Sequence, residues 1–339
     1  MCYNPIALGF FLVRSRRFSF VSQTRLFLAI DLGGTKTAVS AWVVGADGEA
    51  PERLAKNRWD TLTHGPVANM ELIVRQSRTL LAGLDRSAGD QLAAIGISAG
   101  GPVEAQKGTI RSIPNLPGWD NVAIAGQISA ALGAPTFVEN DANASVLAEW
   151  RYGAGRGSND VSFLTCSTGI GAGVIVDGRL LRGHSNLAGE IGHLEIVRDG
   201  LPCGCGRRGC LEAYASGTGI ARRLARVRDR EGPIPKTARD LVDAAHGGDG
   251  FAMEFLRETA RFLSMGLSHL IFCLNPERII LGTIAVGAGD LLLGPLRLFV
   301  SAGVWPSFDD GLSIVPAGLG DDLGDYAALA AALEADPAQ

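Results

Sequence analysis

Apolar positions along this chain group into short runs punctuated by glycine, and the spacing within each run separates strands from helices. The first organised stretch, Leu26 to Val44 (LFLAIDLGGTKTAVSAWVV), divides into an apolar strand, a turn and a second strand. Gly33 and Gly34 permit a tight hairpin turn, and the β-branched Thr35, Thr37 and Val39 suit the outgoing strand. Residues 66 to 84 carry apolar positions at helical spacing behind a proline in the first turn. Leu92 to Ser98 reads as a buried strand that empties into Ala99-Gly100-Gly101-Pro102. A helix around Val122 to Leu132 leads to a short strand, Thr136 to Val138. The polar cluster Glu139-Asn140-Asp141 follows, ahead of a helix over Ala142 to Trp150.

Val161 to Leu181 (VSFLTCSTGIGAGVIVDGRLL) repeats the plan of the first hairpin, with the turn Ser167-Thr168-Gly169-Ile170-Gly171 between its strands. Two such hairpins, roughly 135 residues apart, predict a duplicated α/β domain whose Gly turns face one another across a cleft. Further on, the periodicity predicts a long helix over Asp249 to Leu270, a strand over Arg278 to Gly282 and a helix over Asp290 to Val300. A strand over Leu312 to Val315 and an Ala/Leu-rich helix over Asp321 to Glu334 close the chain.

Composition narrows the class. A chain of 339 residues is long for one core, so two domains are expected. With 47% apolar and 19% charged residues and 45 glycines, the composition describes a compact soluble enzyme with many tight turns better than a disordered or fibrous protein. The net charge of −4 and pI near 5.8 argue against a dominant nucleic-acid surface. The run Arg222, Arg223, Arg226, Arg228 and Arg230 reads as the solvated face of a helix. In residues 1–25, Arg14, Arg16 and Arg17 follow the apolar run Ile6 to Val13, the reverse of an export signal, and the run is too short to cross a bilayer. This stretch is expected to be a disordered extension, from a start codon placed too early, on a cytoplasmic protein with reduced thiols.

The densest chemistry lies between Gly189 and Glu212 (GEIGHLEIVRDGLPCGCGRRGCLE). Here His193, Cys203, Cys205 and Cys210 could be gathered by one metal ion. Three thiols and one imidazole suit Zn²⁺, which takes four tetrahedral N/S ligands in structural sites. A disulfide is disfavoured, since CxC sulfurs bridge only with strain; free buried thiols are the other alternative. A His bound to metal through one ring nitrogen keeps the other for a hydrogen bond, here to a substrate hydroxyl. Glu190 and Glu212 would be fixed relative to that imidazole.

Elsewhere the Gly turns offer backbone N–H groups that can cradle the oxygens of a nucleotide triphosphate. As an isolated motif, Asp31-Leu-Gly-Gly-Thr fits an ordinary hairpin with a solvated Asp equally well. Glu139, Asn140 and Asp141 sit at a strand's C-terminal end, where α/β proteins bind substrates, although Asn and Asp are also favoured helix caps. Asn115 to Trp119 is a loop whose amide and aromatic ring suit a sugar face or a structural corner.

Five motifs in order, Asp31-Leu-Gly-Gly-Thr-Lys, Glu139-Asn-Asp-Ala-Asn-Ala, Ser167-Thr-Gly-Ile-Gly, Gly189-Glu-Ile-Gly-His and Cys203-Gly-Cys-Gly-Arg-Arg-Gly-Cys-Leu-Glu, together resemble the ROK family of sugar kinases and sugar-responsive repressors. The resemblance runs from about Leu26 to the C-terminus. It implies the duplicated actin-like (ribonuclease H-like) ATPase fold, with two α/β domains around a cleft. The N-terminal domain is expected over 26–141 with the helix of about 321–335 packed back on it, and a larger domain over 142–320 with the zinc motif 193–210. ATP and Mg²⁺ are implied beside the structural Zn²⁺.

By match to the motifs, Gly101, Asn115, Asn140, Asp141, Glu190, His193 and Glu212 would form the sugar site, with Asp141 as general base. Asp31, Gly33, Gly34, Thr35, Lys36, Thr168, Gly169, Gly171 and Gly282 would hold nucleotide phosphates and metal. The implied reaction is ATP-dependent phosphorylation of a hexose 6-hydroxyl, with glucose the expected substrate. Mannose, N-acetylmannosamine and N-acetylglucosamine are the alternatives. Homo-oligomers of two or more chains are expected, and neither a nucleic acid nor a membrane is an expected partner.

Two positions depart from the family pattern. Gly282-Thr283-Ile284 replaces a run of Gly beside the adenine, which bears on nucleotide preference, and the turn Ser98 to Pro102 lacks the usual Pro before its second Gly. The opposing functional class is a sugar-sensing transcriptional regulator, for whose DNA-binding helix-turn-helix the 25 residues before Leu26 are too few.

Overall fold

Glycine turns and apolar strands of similar length recur in the two halves, and the computed structural model folds each half around its own sheet. It describes residues 24–45, 50–61, 65–84, 91–113, 116, 118–228 and 232–335. In chain order the first strands are β1 (Arg25–Leu32), β2 (Lys36–Val44), β3 (Glu52–Asp60) and β4 (Leu92–Ala99). A small hairpin of β5 (Val103–Glu104) and β6 (Thr109–Ile110) precedes β7 (Thr136–Asn140). The first sheet has the order β3-β2-β1-β4-β7, antiparallel through β3, β2 and β1 and parallel from β1 onward. The second sheet uses β8 (Val161–Cys166), β9 (Ile170–Val176), β10 (Arg179–Leu180), β11 (Arg278–Leu281) and β12 (Ser313–Pro316). Its order, β10-β9-β8-β11-β12, repeats that of the first sheet strand for strand, with the same change from antiparallel to parallel.

The helices are α1 (Pro66–Ala82), α2 (Ile124–Leu132), α3 (Asp141–Tyr152), α4 (Glu212–Ala215), α5 (Gly217–Leu224) and α6 (Ala238–His246). They continue with α7 (Gly250–Leu274), α8 (Ile284–Ala288), α9 (Asp290–Gly303), α10 (Pro306–Asp309) and α11 (Leu323–Glu334). By packing, the chain divides after Asp141 and again before Gly324, so that α11 belongs to the first unit and Ala142–Leu323 form the second. Each unit buries its own apolar cluster. The Ala-rich sequence of α11 has a steric cause: it lies so close to β4 that a β-carbon on Gly96 would stand 2.7 Å from the Ala332 amide nitrogen.

Several sequence expectations need adjustment. Thr35 lies in the turn, with β2 starting at Lys36. Strand β7 continues through Glu139 and Asn140, and Asp141 is already the first residue of α3. Strand β3 was not expected, because its charged ERLAKNRWD pattern has no apolar run; it is the sheet edge, where Lys and Arg discourage further pairing. The Arg222–Arg230 run is not one solvated helix face. Helix α5 ends at Leu224, and Arg223 is buried, its guanidinium over the Phe255 and Phe262 rings and paired with Glu258. Arg230 lies outside the described residues, as do residues 1–23 of the expected extension; Arg25 opens β1.

Candidate active site

The parallel register of the first sheet aligns the C-terminal ends of three strands. Asp31 pairs with Ser98, Ser98 with Glu139 and Ala99 with Asn140, and Asp141 follows on α3. Asn140 donates from Nδ2 to the Gly101 carbonyl (3.0 Å), and its amide donates to Glu139 Oε1 (3.0 Å). Gly101 has φ +87°, which glycine adopts without steric cost. The Asp141 carboxylate is directed to the same turn, 3.8 Å from where a β-carbon on Gly100 would stand. The described residues thus bring Gly101, Asn140 and Asp141 together, while Asn115 lies outside them.

Asp31 is the perturbed acid of this row. Withdrawal from water, then the negative charges of Asp325 and Asp141, push its carboxyl up to about 6, against the pull of Lys56 and Arg58. Gly324 is seated on it, for a β-carbon there would lie 2.8 Å from the Asp31 carboxyl carbon. In the adjoining turn the Gly33 amide donates to the Lys36 carbonyl (3.0 Å), and Thr61 holds the carbonyls of Gly33 and Thr35. Gly34, Thr35 and Lys36 are exposed, and Lys36 is ion-paired with Asp60 on β3.

In the second unit the ligand atoms of His193, Cys203, Cys205 and Cys210 all lie within 4.8 Å of one another. Gly206 (φ +86°) and Gly209 (φ +77°) supply the left-handed turns that fold the cysteines back. Zn–S bonds of about 2.3 Å in a tetrahedron set sulfurs about 3.8 Å apart. Cys205 Sγ and Cys210 Sγ are 3.8 Å apart, and His193 Nδ1 is 3.7 Å from Cys203 Sγ. The donor set therefore fits zinc through Nδ1, leaving Nε2 3.8 Å from Glu190 Oε2. Burial pushes the Cys203 thiol up to about 12 and also raises Cys210, whereas the Arg207 backbone N–H lowers Cys205. Metal would displace these protons on binding.

The Ser167–Gly171 turn lies beside this cluster. Glu212 Oε2 accepts from the Ile170 amide (3.0 Å), and a β-carbon on Gly169 would stand 2.6 Å from that oxygen. The Gly171 amide donates to Thr165 Oγ1 (3.0 Å), and Thr168 accepts at its carbonyl from the Thr218 amide (3.3 Å). Gly282 leaves β11 with its amide on the Leu164 carbonyl (2.9 Å). The next residue, Thr283, takes φ +37°, a strained conformation for a β-branched side chain.

The ROK family model matches residues 27–335. The chain belongs to the ROK family. Among ROK relatives, a glucokinase of Thermotoga maritima is 36% identical over 312 residues, covering 88% of this chain and 94% of that enzyme. The crystal structure of a ROK family glucokinase from Streptomyces griseus, in complex with glucose and AMPPNP, superposes with a TM-score of 0.73 at 31% identity. It spans 91% of this chain and 99% of that one. The xylose repressor of Bacillus spizizenii is 32% identical over 229 residues, 68% of this chain and 58% of the repressor. The mixed α/β architecture with two repeated five-stranded sheets is thus the ROK actin-like fold. Its relatives thus include both glucokinases and a xylose repressor, and its His/Cys cluster is consistent with zinc binding. No helix among the described residues is long and apolar enough to cross a membrane.

Sequence reasoning overlooked the groups around Asp31. Asp325 is buried and paired with Arg53 (2.8 Å) and Lys56 (2.5 Å). A signal existed in the one acid near the start of the apolar GDYAALAAAL stretch, since a buried carboxylate requires partners. The ties from Gly217 and Thr218 to the 167–168 carbonyls were also unforeseen, because backbone contacts leave no mark on composition.

Proposed function

We propose that this ROK protein transfers the γ-phosphoryl group of ATP to the 6-hydroxyl of a hexose, glucose foremost. The observation that carries this reading is the pairing of Asn140, anchored on Gly101, with Asp141 directed to the same Gly100–Gly101 turn, one strand from Asp31. Its support outside the chain is the glucokinase relatives that match nearly end to end. Asp141 takes the 6-hydroxyl proton as that oxygen attacks the γ-phosphorus and ADP departs. Positioning and charge neutralisation account for most of the rate in such transfers. Asn140, Glu190, His193 and Glu212 hold the sugar hydroxyls. The turns at Gly33–Lys36 and Thr168–Gly171, with Gly282, receive the nucleotide. Asp31 would hold Mg²⁺, which would supply charge neutralisation for the phosphates. Zinc held by His193, Cys203, Cys205 and Cys210 is structural. A cytoplasmic, homo-oligomeric enzyme with reduced thiols completes the reading.

The xylose repressor similarity favours a second reading, a regulator that senses sugar without turnover. Coupled measurement of ADP release across glucose, mannose, N-acetylmannosamine and N-acetylglucosamine separates the two. Sugar-dependent release with glucose fastest is expected. Specific DNA retardation with no ADP release from any sugar establishes the regulator instead.

A further inference from the structure

The Ser167–Gly171 loop is gripped from both sides by the chain segments that carry the metal ligands. On one side lies the stretch from Cys210 to Thr218. Here Glu212 Oε2 takes the Ile170 amide (3.0 Å), the Gly217 amide donates to the Ser167 carbonyl (2.7 Å), and the Thr218 amide donates to the Thr168 carbonyl (3.3 Å). On the other side lies Gly189 to His193. The Ala172 amide donates to the Gly189 carbonyl (3.0 Å), and Gly192 is packed so closely that a β-carbon would overlap the Ile170 carbonyl oxygen. His193 ends one arm and Cys210 begins the other, so a metal joining them would fix the width of the grip. Glu212 stands at the crossing. Its second oxygen, Oε1, is 3.7 Å from Cys203 Sγ.

We propose that Glu212 is a positioning residue for the Ser167–Gly171 loop, carrying the state of the metal cluster to the backbone that receives nucleotide phosphates. The proposal rests on the phosphate-loop reading above and goes beyond the sugar-binding role assigned to this Glu. One carboxylate oxygen fixes the loop, 42 residues earlier in sequence at Ile170, and the other contacts a ligand sulfur, so one side chain touches both loop and cluster. A charge-assisted hydrogen bond to a backbone N–H orients that peptide and its neighbours. A loop that has lost it samples other amide directions and binds phosphate less tightly.

The test is amide hydrogen exchange at Ile170, with the β11 amides of the same sheet as internal control, in zinc-loaded wild type, chelator-treated wild type, and zinc-loaded Glu212→Ala and Glu212→Gln. AMPPNP binding is measured by calorimetry in parallel. Glu212→Ala should retain zinc by metal analysis, lose Ile170 protection and bind AMPPNP about tenfold more weakly. Glu212→Gln, whose amide oxygen still accepts, should keep most of both. Chelation should raise exchange at Ile170 before β11 changes. Unchanged Ile170 exchange in zinc-loaded Glu212→Ala overturns the proposal, as does Ile170 exchange in wild type that is insensitive to chelation. If exchange responds as expected but wild type binds no AMPPNP, the coupling stands and the phosphate-loop reading fails.

Discussion

The two hairpins that open the two sheets share one topology but carry different chemistry. In the first, the next-to-last residue of β1 is Asp31, a partly buried acid near Asp141 and Asp325. In the second, the next-to-last residue of β8 is Thr165, whose neutral hydroxyl accepts from the Gly171 amide (3.0 Å). The first turn is open, with Gly34, Thr35 and Lys36 exposed, while the second is held at Ser167, Thr168 and Ile170 by the segment after the cysteines. Duplication thus supplied one scaffold twice, and side chains at equivalent places then specialised. One half concentrates negative charge suited to proton and metal chemistry. The other ties down its turn from within its own unit, through the Ile170 and Gly171 amides and the Ser167 and Thr168 carbonyls.

If charge chemistry belongs to the first half, removing it there should have the largest effect. Asp141→Asn should keep the fold, because Asn is also favoured at helix starts, yet lower kcat by at least about 10²-fold, the low end for a positioned general base. Near wild-type turnover with glucose would take Asp141 out of the reaction. Asn140→Ala should instead raise KM more than it lowers kcat, as expected for a group that binds ground and transition states alike.

Asp31 gives a stability test with a definite sign. Its carboxyl is held at about 6 against an ordinary 3.8, so between roughly pH 4 and 6 the folded chain binds a proton that the unfolded chain releases. The favourable protonated state is fully populated below pH 4 and lost as pH rises through 6. Asp31→Asn should therefore stabilise the ligand-free protein above pH 6, by at most about 3 kcal/mol, and leave it unchanged near pH 4. Denaturant melts at pH 4, 5, 6 and 8 read this directly. A variant less stable than wild type at pH 8 would show that Lys56 and Arg58 outweigh burial.

In the second half the corresponding change is at the metal. Cys205→Ser should lose zinc and, by disordering Glu190 and Glu212, weaken glucose binding about 10–100-fold. Metal analysis and calorimetry measure both. Wild-type protein purified without chelator and free of zinc would remove the basis of this expectation.

How far the sequence can be read follows from how local each feature is. The hairpins, α1, β4, α7 and α11 carry their signal in their own residues, as apolar runs or helical spacing closed by Gly or Pro. Asn140 and Asp141, and His193 with the three cysteines, are adjacent in sequence or joined by short Gly turns, so their juxtaposition follows from local backbone geometry. Asp325 meets Arg53 and Lys56 across 272 and 269 residues, and no local pattern marks such a pairing. Arg223 shows the opposite failure. Its run of arginines resembles a solvated face, but the helix ends one residue later, and the buried guanidinium is accommodated by two aromatic rings and Glu258.

The smallest expected effect concerns the turn after the fourth strand of each sheet, where the halves again differ at one equivalent position. After β4 comes Gly100-Gly101, with Gly101 at φ +87°; after β11 comes Gly282-Thr283, with Thr283 at φ +37°. Both turns use positive φ at the second residue, which glycine adopts freely and a β-branched residue does not. Strain of this kind costs on the order of 1–3 kcal/mol, partly offset because Thr has less backbone freedom to lose on folding. Thr283→Gly should therefore stabilise the protein by about 1 kcal/mol, and, if the end of β11 receives nucleotide as proposed above, the freed space should tighten AMPPNP binding. The mirror change, Gly101→Ala, should destabilise by about the same amount and raise the glucose KM, because Asn140 is hydrogen-bonded to the Gly101 carbonyl. Paired denaturant melts compare the two signs. A Thr283→Gly protein less stable than wild type would mean that the Thr283 side chain makes contacts worth more than its backbone strain, and that this turn is adapted to threonine.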